Sequence, residues 1–350
     1  MQTSLTKIEL HFEPLNLKIK HPFGIAYGSA VISENVLVKL RFGEYEGLGE
    51  SSPAEYHNES PETVRALCER WQKAKILGDD PFAIAETMQR LERDVAGNTA
   101  AKAAIEMALH DLCGKIAGQP TYKMLGLSGL PHPITDLTIG IAALDMIEKK
   151  TLEALAAGHR ALKVKQGTDM DREIIKTVRR VAPDISLRVD ANSAWTPKQA
   201  IAMSYFLAEH KVEFIEQPLP KTSQPQDFKL VRENSPLPIF ADESVSRGHD
   251  VARLAGTIDG VVVKLAKTGG ILEALKVINT ARSLGMQVML GCMMESSLGI
   301  SAAAQLSGLA DYLDLDSGML LAEDPYDGVG FKNGYLLLSG EPGLGIKERL

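Results

Sequence analysis

The order of apolar and polar residues divides the chain into two parts that differ in the periodicity of their apolar positions. In the first part, strand-like alternation precedes helical periodicity, whereas from about Pro133 short apolar runs alternate with amphipathic helical segments. Strands followed by helices are typical of an α+β domain, and regular β–α alternation is typical of a parallel sheet. The pattern therefore predicts an α+β domain over residues 1–125 and a β/α domain over residues 126–321.

The first part is predicted to form an antiparallel sheet and three helices. Its strands are expected over residues 4–20 (two strands of a hairpin around Pro14), 35–42 and 45–50, and its helices near residues 60–76, 83–95 and 98–117. Residues 21–34 contain two glycines and interrupt the alternation, so we expect a mobile loop there. Asn98 is expected to cap the third helix and Gly118 to end it.

The second part repeats one strand and one helix at an interval of 22 to 26 residues. The predicted strand ends fall at Ile139, Lys165, Asp190, Glu216, Asp242, Lys264, Leu290 and Asp316. One strand, one helix and two loops take roughly 25 residues, so eight such strands close into a barrel. The tail lacks a further helix signal and is predicted to return to the first domain over residues 322–350. The predicted fold is α/β, a modified (β/α)₇β TIM-type barrel with an α+β capping domain.

Composition and charge narrow the range of partners. The net charge is −7 without a basic block, which makes nucleic acid an unsuitable partner. No apolar run reaches the roughly 20 residues that span a bilayer, so no membrane partner is expected. Three scattered cysteines fit a reducing cytosol, so we expect a cytoplasmic protein. A homo-oligomer is a separate expectation.

Three acids stand at successive predicted strand ends. Asp190, Glu216 and Asp242 are each 26 residues apart, so their side chains are expected to meet at one end of the barrel. Converging carboxylates favour a hard cation such as Mg²⁺. Asn192 and Glu243 are expected to orient these ligands or to add contacts. The alternative interpretation is three unrelated surface acids.

Lysines flank the acids on both sides. Lys163 and Lys165 point to the same face of a strand, and their mutual repulsion is expected to lower the pKa of one of them. Lys264 follows the buried-strand pattern Gly-Val-Val-Val and is a candidate acid/base, with Lys267 as a further candidate. The alternatives are a solvated lysine pair and a lysine whose head extends to solvent at a strand end.

The last predicted strand carries two more acids. Asp314 and Asp316, in Leu-Asp-Leu-Asp-Ser, lie on one face and repel each other unless a cation lies between them. The alternative is a capping role for one of them. Glu295, in Gly-Cys-Met-Met-Glu-Ser, also follows a predicted strand.

Together these motifs resemble the enolase superfamily, and within it the muconate-lactonizing-enzyme subgroup. The resemblance covers nearly the whole chain and implies Mg²⁺ at Asp190, Glu216 and Asp242. It implies that Lys165 and Lys264 are the two acid/bases and that Lys163 keeps Lys165 a usable base. The Asp314-x-Asp316 pair is similar to that of dipeptide epimerases, where it is taken to hold the substrate's N-terminal ammonium group.

The resemblance implies an isomerase that epimerises dipeptides. Mg²⁺ would bind the carboxylate of the C-terminal residue and stabilise the enolate formed when its α-proton leaves. One lysine would remove that proton from one face, and the opposite lysine would return a proton to the other face. The reaction is then a 1,1-proton transfer.

The chain departs from alanyl-glutamate epimerases in its first loop. Residues 21–34 contain no arginine to hold a glutamate side chain, and Tyr27 occupies that region. Met294 rather than an acid precedes Glu295, which argues against a cationic side chain. We therefore expect small or hydrophobic C-terminal residues, or alanyl-glutamate if Lys20 or His57 supplies a charge. The residues expected to contact substrate are Asp314, Asp316, Asn192, Glu295, Met294 and Tyr27.

Other functions on the same scaffold remain open. An o-succinylbenzoate synthase or cycloisomerase-type lyase acts on anions without an ammonium group, for which Asp314 and Asp316 would be badly placed. An N-acylamino-acid racemase is a further alternative. A non-catalytic metal-binding protein would have no need of both lysines.

Overall fold

Residues 7–26, 28–129 and 133–349 are described in a computed structural model of the chain. The first part forms a three-stranded antiparallel sheet with the second strand in the middle: β1 (Glu9–Ile25), β2 (Gly28–Phe42) and β3 (Tyr45–Ser51). Four helices follow: α1 (Pro61–Ala74), α2 (Ile84–Asp94), α3 (Thr99–Ala117) and α4 (Thr121–Met124). Among the helices of the described residues, none is both long and apolar enough to cross a bilayer.

The long helix α3 is buried between the two parts of the molecule. Its residues are buried all round from Ala100 to Gly114, so this stretch has no face exposed to solvent. Gly47 and Gly49 of β3 lie directly against it, because a Cβ at either position would collide with a backbone carbonyl of the helix. Two glycines on one face of β3 thus allow the sheet and the helix to approach closely.

The predictions for the first sheet and for one helix cap were partly wrong. β1 and β2 form one long hairpin that includes most of residues 21–34, with a register shift between Lys18 and Phe23, where a mobile loop was expected. Pro14 does not interrupt β1, because an edge strand tolerates a missing N–H group. Asn98 has a left-handed conformation and no side-chain capping bond. Instead, the Glu59 carboxylate accepts the Thr99 amide at 2.6 Å.

Eight parallel strands form the predicted barrel in sequence order, each bonded to the next. They are β4 (Leu137–Ile139), β5 (Ala161–Lys165), β6 (Ser186–Asp190), β7 (Val212–Glu216), β8 (Ile239–Ala241), β9 (Gly260–Val263), β10 (Gln287–Gly291) and β11 (Tyr312–Asp314). An isolated parallel β-bridge pairs Thr135, in the segment just before β4, with Leu313 of β11. It connects the first barrel strand to the last. Side chains on the outer faces of the strands pack against the surrounding helices and form the main core.

Helices connect successive barrel strands and end with the seventh connection. They are α5 (Leu144–Ala156), α6 (Asp171–Val181), α7 (Pro197–Glu209), α8 (Pro225–Asn234), α9 (Gly248–Arg253), α10 (Leu265–Thr268), α11 (Ile271–Ser283) and α12 (Ser297–Ala304). Among the described residues after β11, the only helix is the four-residue α13 (Ser317–Leu320). The predicted enolase-like fold, a (β/α)₇β barrel with an antiparallel cap, is therefore confirmed.

The tail beyond the barrel pairs with itself and contacts the first part. β12 (Tyr326–Asp327) pairs with β15 (Lys347–Glu348), and β13 (Gly330–Lys332) pairs with β14 (Tyr335–Leu337). The amide of Leu344 donates to Asp111 of α3 at 2.8 Å. The division into residues 1–125 with 322–350, and residues 126–321, stays a prediction.

Candidate active site

The candidate site lies one layer above a hydrophobic plug inside the barrel. Phe214, Phe240, Val262 and Met289 pack together on the barrel axis. Because strand side chains alternate, the residues two positions further along point to the same interior. Those positions are Glu216, Asp242, Lys264 and Gly291, at the carboxyl ends of their strands. The plug thus supports a polar layer at the end of the barrel where active sites form.

Three predicted metal ligands converge in this layer. Ligand oxygens of Asp190, Glu216 and Asp242 lie within 4.8 Å of one another. The three residues are at most 1% exposed, and Oε1 of Glu216 has no hydrogen-bond partner among the described residues. Burial and the charge of Asp190 raise the pKa of Glu216. A buried oxygen without a partner beside two further carboxylates fits a hard divalent cation.

Asn192 and Glu243 lie beside the three acids, as expected from the sequence. The backbone N–H of Asn192 donates to Oδ1 of Asp190 at 2.8 Å, and its side-chain amide donates to Glu243 at 3.3 Å. Burial and the charge of Asp242 raise the pKa of Glu243 to about 7. Asn192 therefore fixes the orientation of one ligand from the side.

Two lysines approach the acids from opposite sides of the barrel. Lys165 on β5 donates to Asp190 at 2.5 Å, and Lys264 after β9 donates to Asp242 at 2.7 Å. β5 and β9 are four strands apart in an eight-stranded barrel, and hence lie across the axis from each other. Gly291 leaves space for Lys264, because a Cβ there would lie 3.1 Å from the lysine's Cε.

Lys163 lies deeper than Lys165 and remains charged. Its ammonium group contacts Asp314 and donates to Glu216 at 3.1 Å. Burial alone would favour the neutral amine, but the carboxylates of Asp314 and Glu216 outweigh it and raise the pKa of Lys163. The lowered pKa expected within the lysine pair is therefore not found at Lys163, because nearby acids act more strongly than Lys165.

Lys267 lies beneath the site. It is 2% exposed and donates to the carbonyls of Val245 and Val262, each at 3.1 Å, as well as to the Asp242 carboxylate. With its donors used in this way, Lys267 holds the turn after β9 and does not reach the cavity.

Asp314 and Asp316 form a carboxylate pair on the side of the barrel opposite Glu216. Thr138 bonds to both, through its hydroxyl to Asp314 at 3.3 Å and through its backbone N–H to Asp316 at 2.5 Å. Although burial alone would raise it, Lys163 holds the pKa of Asp314 below its usual range. Burial and the charge of Asp314 raise the pKa of Asp316 to about 6.

A cavity of about 330 Å³ opens above these side chains. Its polar floor consists of Lys163, Lys165, Lys264, Asn192, Asp314 and Asp316. Its walls are largely apolar and include Ile25 and Ile32 of the first hairpin. Among the described residues that line it, the three lysines are the only cations. His57 cannot add a charge, since burial and Lys267 lower its pKa to about 4.

One wall of this cavity is held by polar residues of the first sheet. The carbonyl of Met294 accepts hydrogen bonds from Asn35 at 2.9 Å and from the hydroxyls of Ser33 and Ser52, each at 3.2 Å. Asn35 also donates to the buried Glu50 at 2.7 Å. We call these four residues, Ser33, Asn35, Glu50 and Ser52, the cap clamp. The cap clamp fixes Met294, which lines the cavity.

The structure does not bring every predicted residue to the cavity. Glu295 is 3% exposed and lies behind the wall, where burial and the charge of Glu50 raise its pKa to about 8. Tyr27 lies outside the described residues. Thr138 and Tyr56 were missed, although Thr138 could have been found beside the predicted strand end at Ile139. Tyr56 lies in a short 3-10 helix, Glu55–His57, whose sequence carries no comparable signal.

Sequence profiles of two domain families match this chain. The mandelate racemase / muconate lactonizing enzyme N-terminal domain matches residues 7–126, and the enolase C-terminal domain-like family matches residues 147–349. The two matches together cover the first sheet, the tail and the barrel except for β4, which lies between them.

Individual relatives are similar over almost the whole chain. An L-Ala-D/L-Glu epimerase of Bacteroides thetaiotaomicron is 40% identical over 98% of this chain and 88% of its own length. An L-Ala-D/L-amino acid epimerase of Pedosphaera parvula is 39% identical over 98% of this chain and 99% of its own length. A crystal structure of a dipeptide epimerase from Enterococcus faecalis, with Mg and L-Leu-L-Tyr, is 34% identical with a TM-score of 0.92, covering 98% of this chain and 100% of that chain.

Proposed function

The chain belongs to the mandelate racemase / muconate lactonizing enzyme family of the enolase superfamily, and on that premise we propose that it is a Mg²⁺-dependent dipeptide epimerase. It would invert the α-carbon of the dipeptide's C-terminal residue by a 1,1-proton transfer. Relatives named as epimerases acting on dipeptides support the reaction class, and a related epimerase with Mg and a dipeptide supports the cofactor.

One observation carries this proposal. The acids around Glu216 and the pair Asp314 and Asp316 lie on opposite sides of the barrel, since β7 and β11 are four strands apart, and the cavity opens above the polar layer that contains them. A dipeptide has an anionic carboxylate at one end and a cationic ammonium group at the other. The arrangement thus matches both charged ends, with Lys165 and Lys264 facing each other across the line between them.

Each charged side chain then has a part in the reaction. A divalent cation bound by the three acids supplies positive charge, which lowers the cost of negative charge on the substrate carboxylate and the pKa of neighbouring lysines. Lys165 takes or gives the α-proton on one face, and Lys264 does so on the other. Lys163 stays protonated and disfavours a second charge on Lys165. Asp314 and Asp316 orient the ammonium group.

The walls of the cavity support a neutral C-terminal side chain. Met293, Met294, Ile25 and Ile32 line it, and the only cations among the described lining residues are the three lysines of its floor, to which the reaction assigns other parts. Lys20 lines a different cavity, and His57 is neutral at pH 7. We therefore propose that small or hydrophobic C-terminal residues are accepted at least as well as glutamate.

Incubation with a dipeptide library in D₂O tests the reaction. We expect both epimers to form and the α-position of the C-terminal residue to gain one deuterium, as measured by mass spectrometry and ¹H NMR. Absence of α-exchange with every dipeptide would contradict the proposal. Exclusive turnover of alanyl-glutamate would contradict only the side-chain preference.

N-acetylated dipeptides separate this reaction from the N-acylamino-acid racemase alternative. Acetylation removes the ammonium group, and a charge-assisted hydrogen bond is worth roughly 1.5–3 kcal/mol. We expect kcat/KM to fall by about tenfold or more, since 1.36 kcal/mol is a factor of ten. Equal turnover of free and acetylated substrates would favour the racemase. Homo-oligomer formation and a cytoplasmic location stay predictions.

A further inference from the structure

A second cavity of about 380 Å³ lies on the outer side of the first barrel strand. Leu137 and Ile139, which flank the inward-facing Thr138 on β4, line one wall, and Ala154 of α5 lines another. Met319 of α13 and Phe331 of β13 complete it on the side of the tail. A complete (β/α)₈ barrel has an eighth helix after its last strand. In the described part of this chain, the four-residue α13 takes the place of that helix, which leaves this space.

The two cavities share a wall of four side chains. Ile19, Phe23, Thr138 and Leu320 line both the active-site cavity and the second cavity. Phe23 lies where the register of the first hairpin shifts, and Leu320 ends the short helix α13. The shared wall therefore consists of three apolar side chains and one threonine of β4.

The shared wall begins at the proposed ammonium site. Thr138 bonds to both Asp314 and Asp316. In a dipeptide, the N-terminal side chain leaves the carbon next to the ammonium nitrogen. An ammonium group held by the aspartate pair thus places that side chain close to Thr138, and the apolar members of the shared wall are its neighbours.

The chemistry of the second cavity suits a large apolar side chain. Nine of its fifteen lining residues are apolar, and the polar ones are Lys20, His21, Thr138, Lys150, Glu153 and His159. His159 is 6% exposed, stacks on Phe331 with ring centroids 4.5 Å apart, and has no partner for Nδ1 among the described residues. Burial lowers its pKa to about 4, so the ring adds a hydrogen-bonding atom but no charge at pH 7.

We propose that the second cavity, entered past Phe23 and Leu320, receives a large apolar or aromatic side chain of the dipeptide's N-terminal residue. This inference rests on the proposed dipeptide epimerase function. An N-terminal alanine needs only the first cavity, whereas leucine, phenylalanine or tyrosine uses both. A tyrosine hydroxyl would also give Nδ1 of His159 its missing partner.

Filling the second cavity tests the proposal without changing the first cavity. Ala154→Phe fills the interior from α5, and Ala157→Trp fills it from the exposed position that ends this helix. Ala156→Trp is the matched control, since Ala156 is an exposed neighbour that does not line the cavity. Each protein is assayed by α-proton exchange with Ala-Ala and with Leu-Ala, Phe-Ala and Tyr-Ala.

The expected result is a change in selectivity. The wild type and Ala156→Trp turn over all four dipeptides, whereas either filled variant loses about tenfold or more in kcat/KM for the large N-terminal residues. Ala-Ala turnover stays within about twofold, which also reports that the variants are folded. If Ala154→Phe does not fold, Ala157→Trp still tests the proposal, because a large side chain at this exposed position does not disturb the core.

Two results would overturn the inference while leaving the epimerase proposal intact. One is wild-type turnover of Ala-Ala with rejection of all large N-terminal residues. The other is an unchanged preference in a filled variant that retains Ala-Ala activity. A wild-type protein that exchanges no dipeptide at all would overturn the epimerase proposal and this inference with it.

Discussion

At the scale of single residues, the candidate site is built from paired opposite charges. Asp190 contacts Lys165, Glu216 contacts Lys163, and Asp242 contacts Lys264. Burying any of these groups alone would cost several kcal/mol, and the pairing offsets much of that cost. A substitution that removes one charge of a pair therefore also leaves the partner's charge buried and unpaired.

The two lysines should be separable by isotope exchange. Because Lys165 and Lys264 approach from opposite sides, Lys264→Ala is expected to stop epimerisation but to retain α-proton exchange of the isomer whose proton faces Lys165. Lys165→Ala should show the reverse preference, and both should lose about 10²- to 10⁴-fold in epimerisation rate. ¹H NMR in D₂O with each pure isomer measures both effects. Epimerisation by Lys264→Ala at the wild-type rate would rule out the two-base assignment.

The aspartate pair should make the preference for a free N-terminus depend on pH. Asp316, with its pKa raised to about 6, is ionised above that pH and becomes neutral below it. The ratio of kcat/KM for a free dipeptide over its N-acetyl form should therefore fall by about tenfold between pH 7 and pH 5. Using the ratio cancels the titration of the lysines, which both substrates share.

Asp316→Asn provides the control for this pH dependence. The amide has no charge to lose, so the ratio should be small and constant over the same range. A wild-type ratio that is constant between pH 5 and pH 7 would mean that Asp316 does not bind the ammonium group.

At the scale of elements, barrel strands were predictable from the sequence and the first hairpin was not. Strand ends at Lys165, Asp190 and Glu216 agree with the structure because each follows a short apolar run and recurs at the length of one β–α unit. The apolar residues within 21–34 do not alternate regularly around Gly24 and Gly28, and the hairpin tip covers the cavity without a core of its own. Their strand pairing depends on contacts with the barrel, such as the Ile141 amide bonding to the Gly24 carbonyl at 2.9 Å.

The site residues likewise fall into two groups: those that the local sequence pattern predicts, and those whose roles depend on contacts with distant parts of the chain. The acids and lysines stand at strand ends, where one rule applies to all of them. Thr138 shares that signal, but its bonds to Asp314 and Asp316 span most of the barrel sequence. The cap clamp contacts a loop more than 240 residues away, which no local pattern in the chain reveals.

The cap clamp should influence substrate choice more than turnover. Asn35→Ala removes one of the three donors to the Met294 carbonyl and one donor to the buried Glu50, at a cost of about 1–3 kcal/mol in stability. With Met294 less firmly held, KM for hydrophobic C-terminal residues should rise by several-fold while kcat changes little. Steady-state kinetics with Ala-Ala, Ala-Leu and Ala-Phe measure the split.

Ser52→Ala is the matched control for Asn35→Ala. It removes one donor to the same carbonyl and leaves the Asn35–Glu50 bond in place, so its effect on KM should be smaller. Equal loss of kcat for all three substrates in Asn35→Ala, without a change in KM, would contradict a role in side-chain selection.

At the scale of the whole molecule, the cavity has walls from both parts of the chain. The barrel supplies the charged floor, and the first sheet supplies the cap clamp and the apolar hairpin tip. Asp111 of α3 joins these parts to the tail, since it accepts the amides of Leu48 at 2.9 Å and Leu344 at 2.8 Å. Ligand binding inside the barrel is therefore expected to affect the stability of the entire structure.

Metal binding should stabilise the folded protein independently of any substrate. The three acids converge only when the barrel is formed, so a cation bound there stabilises the native state by about 2.7 kcal/mol at a concentration of 100 Kd. We expect Mg²⁺ to raise the Tm, excess chelator to abolish the rise, and Asp242→Asn to reduce it strongly. Lys165→Ala should increase the Mg²⁺-dependent shift, because Asp190 then lacks the ammonium group that competes with the metal. Differential scanning calorimetry with and without Mg²⁺ measures these shifts, and an Mg²⁺ effect equal in the wild type and Asp242→Asn would place the metal elsewhere.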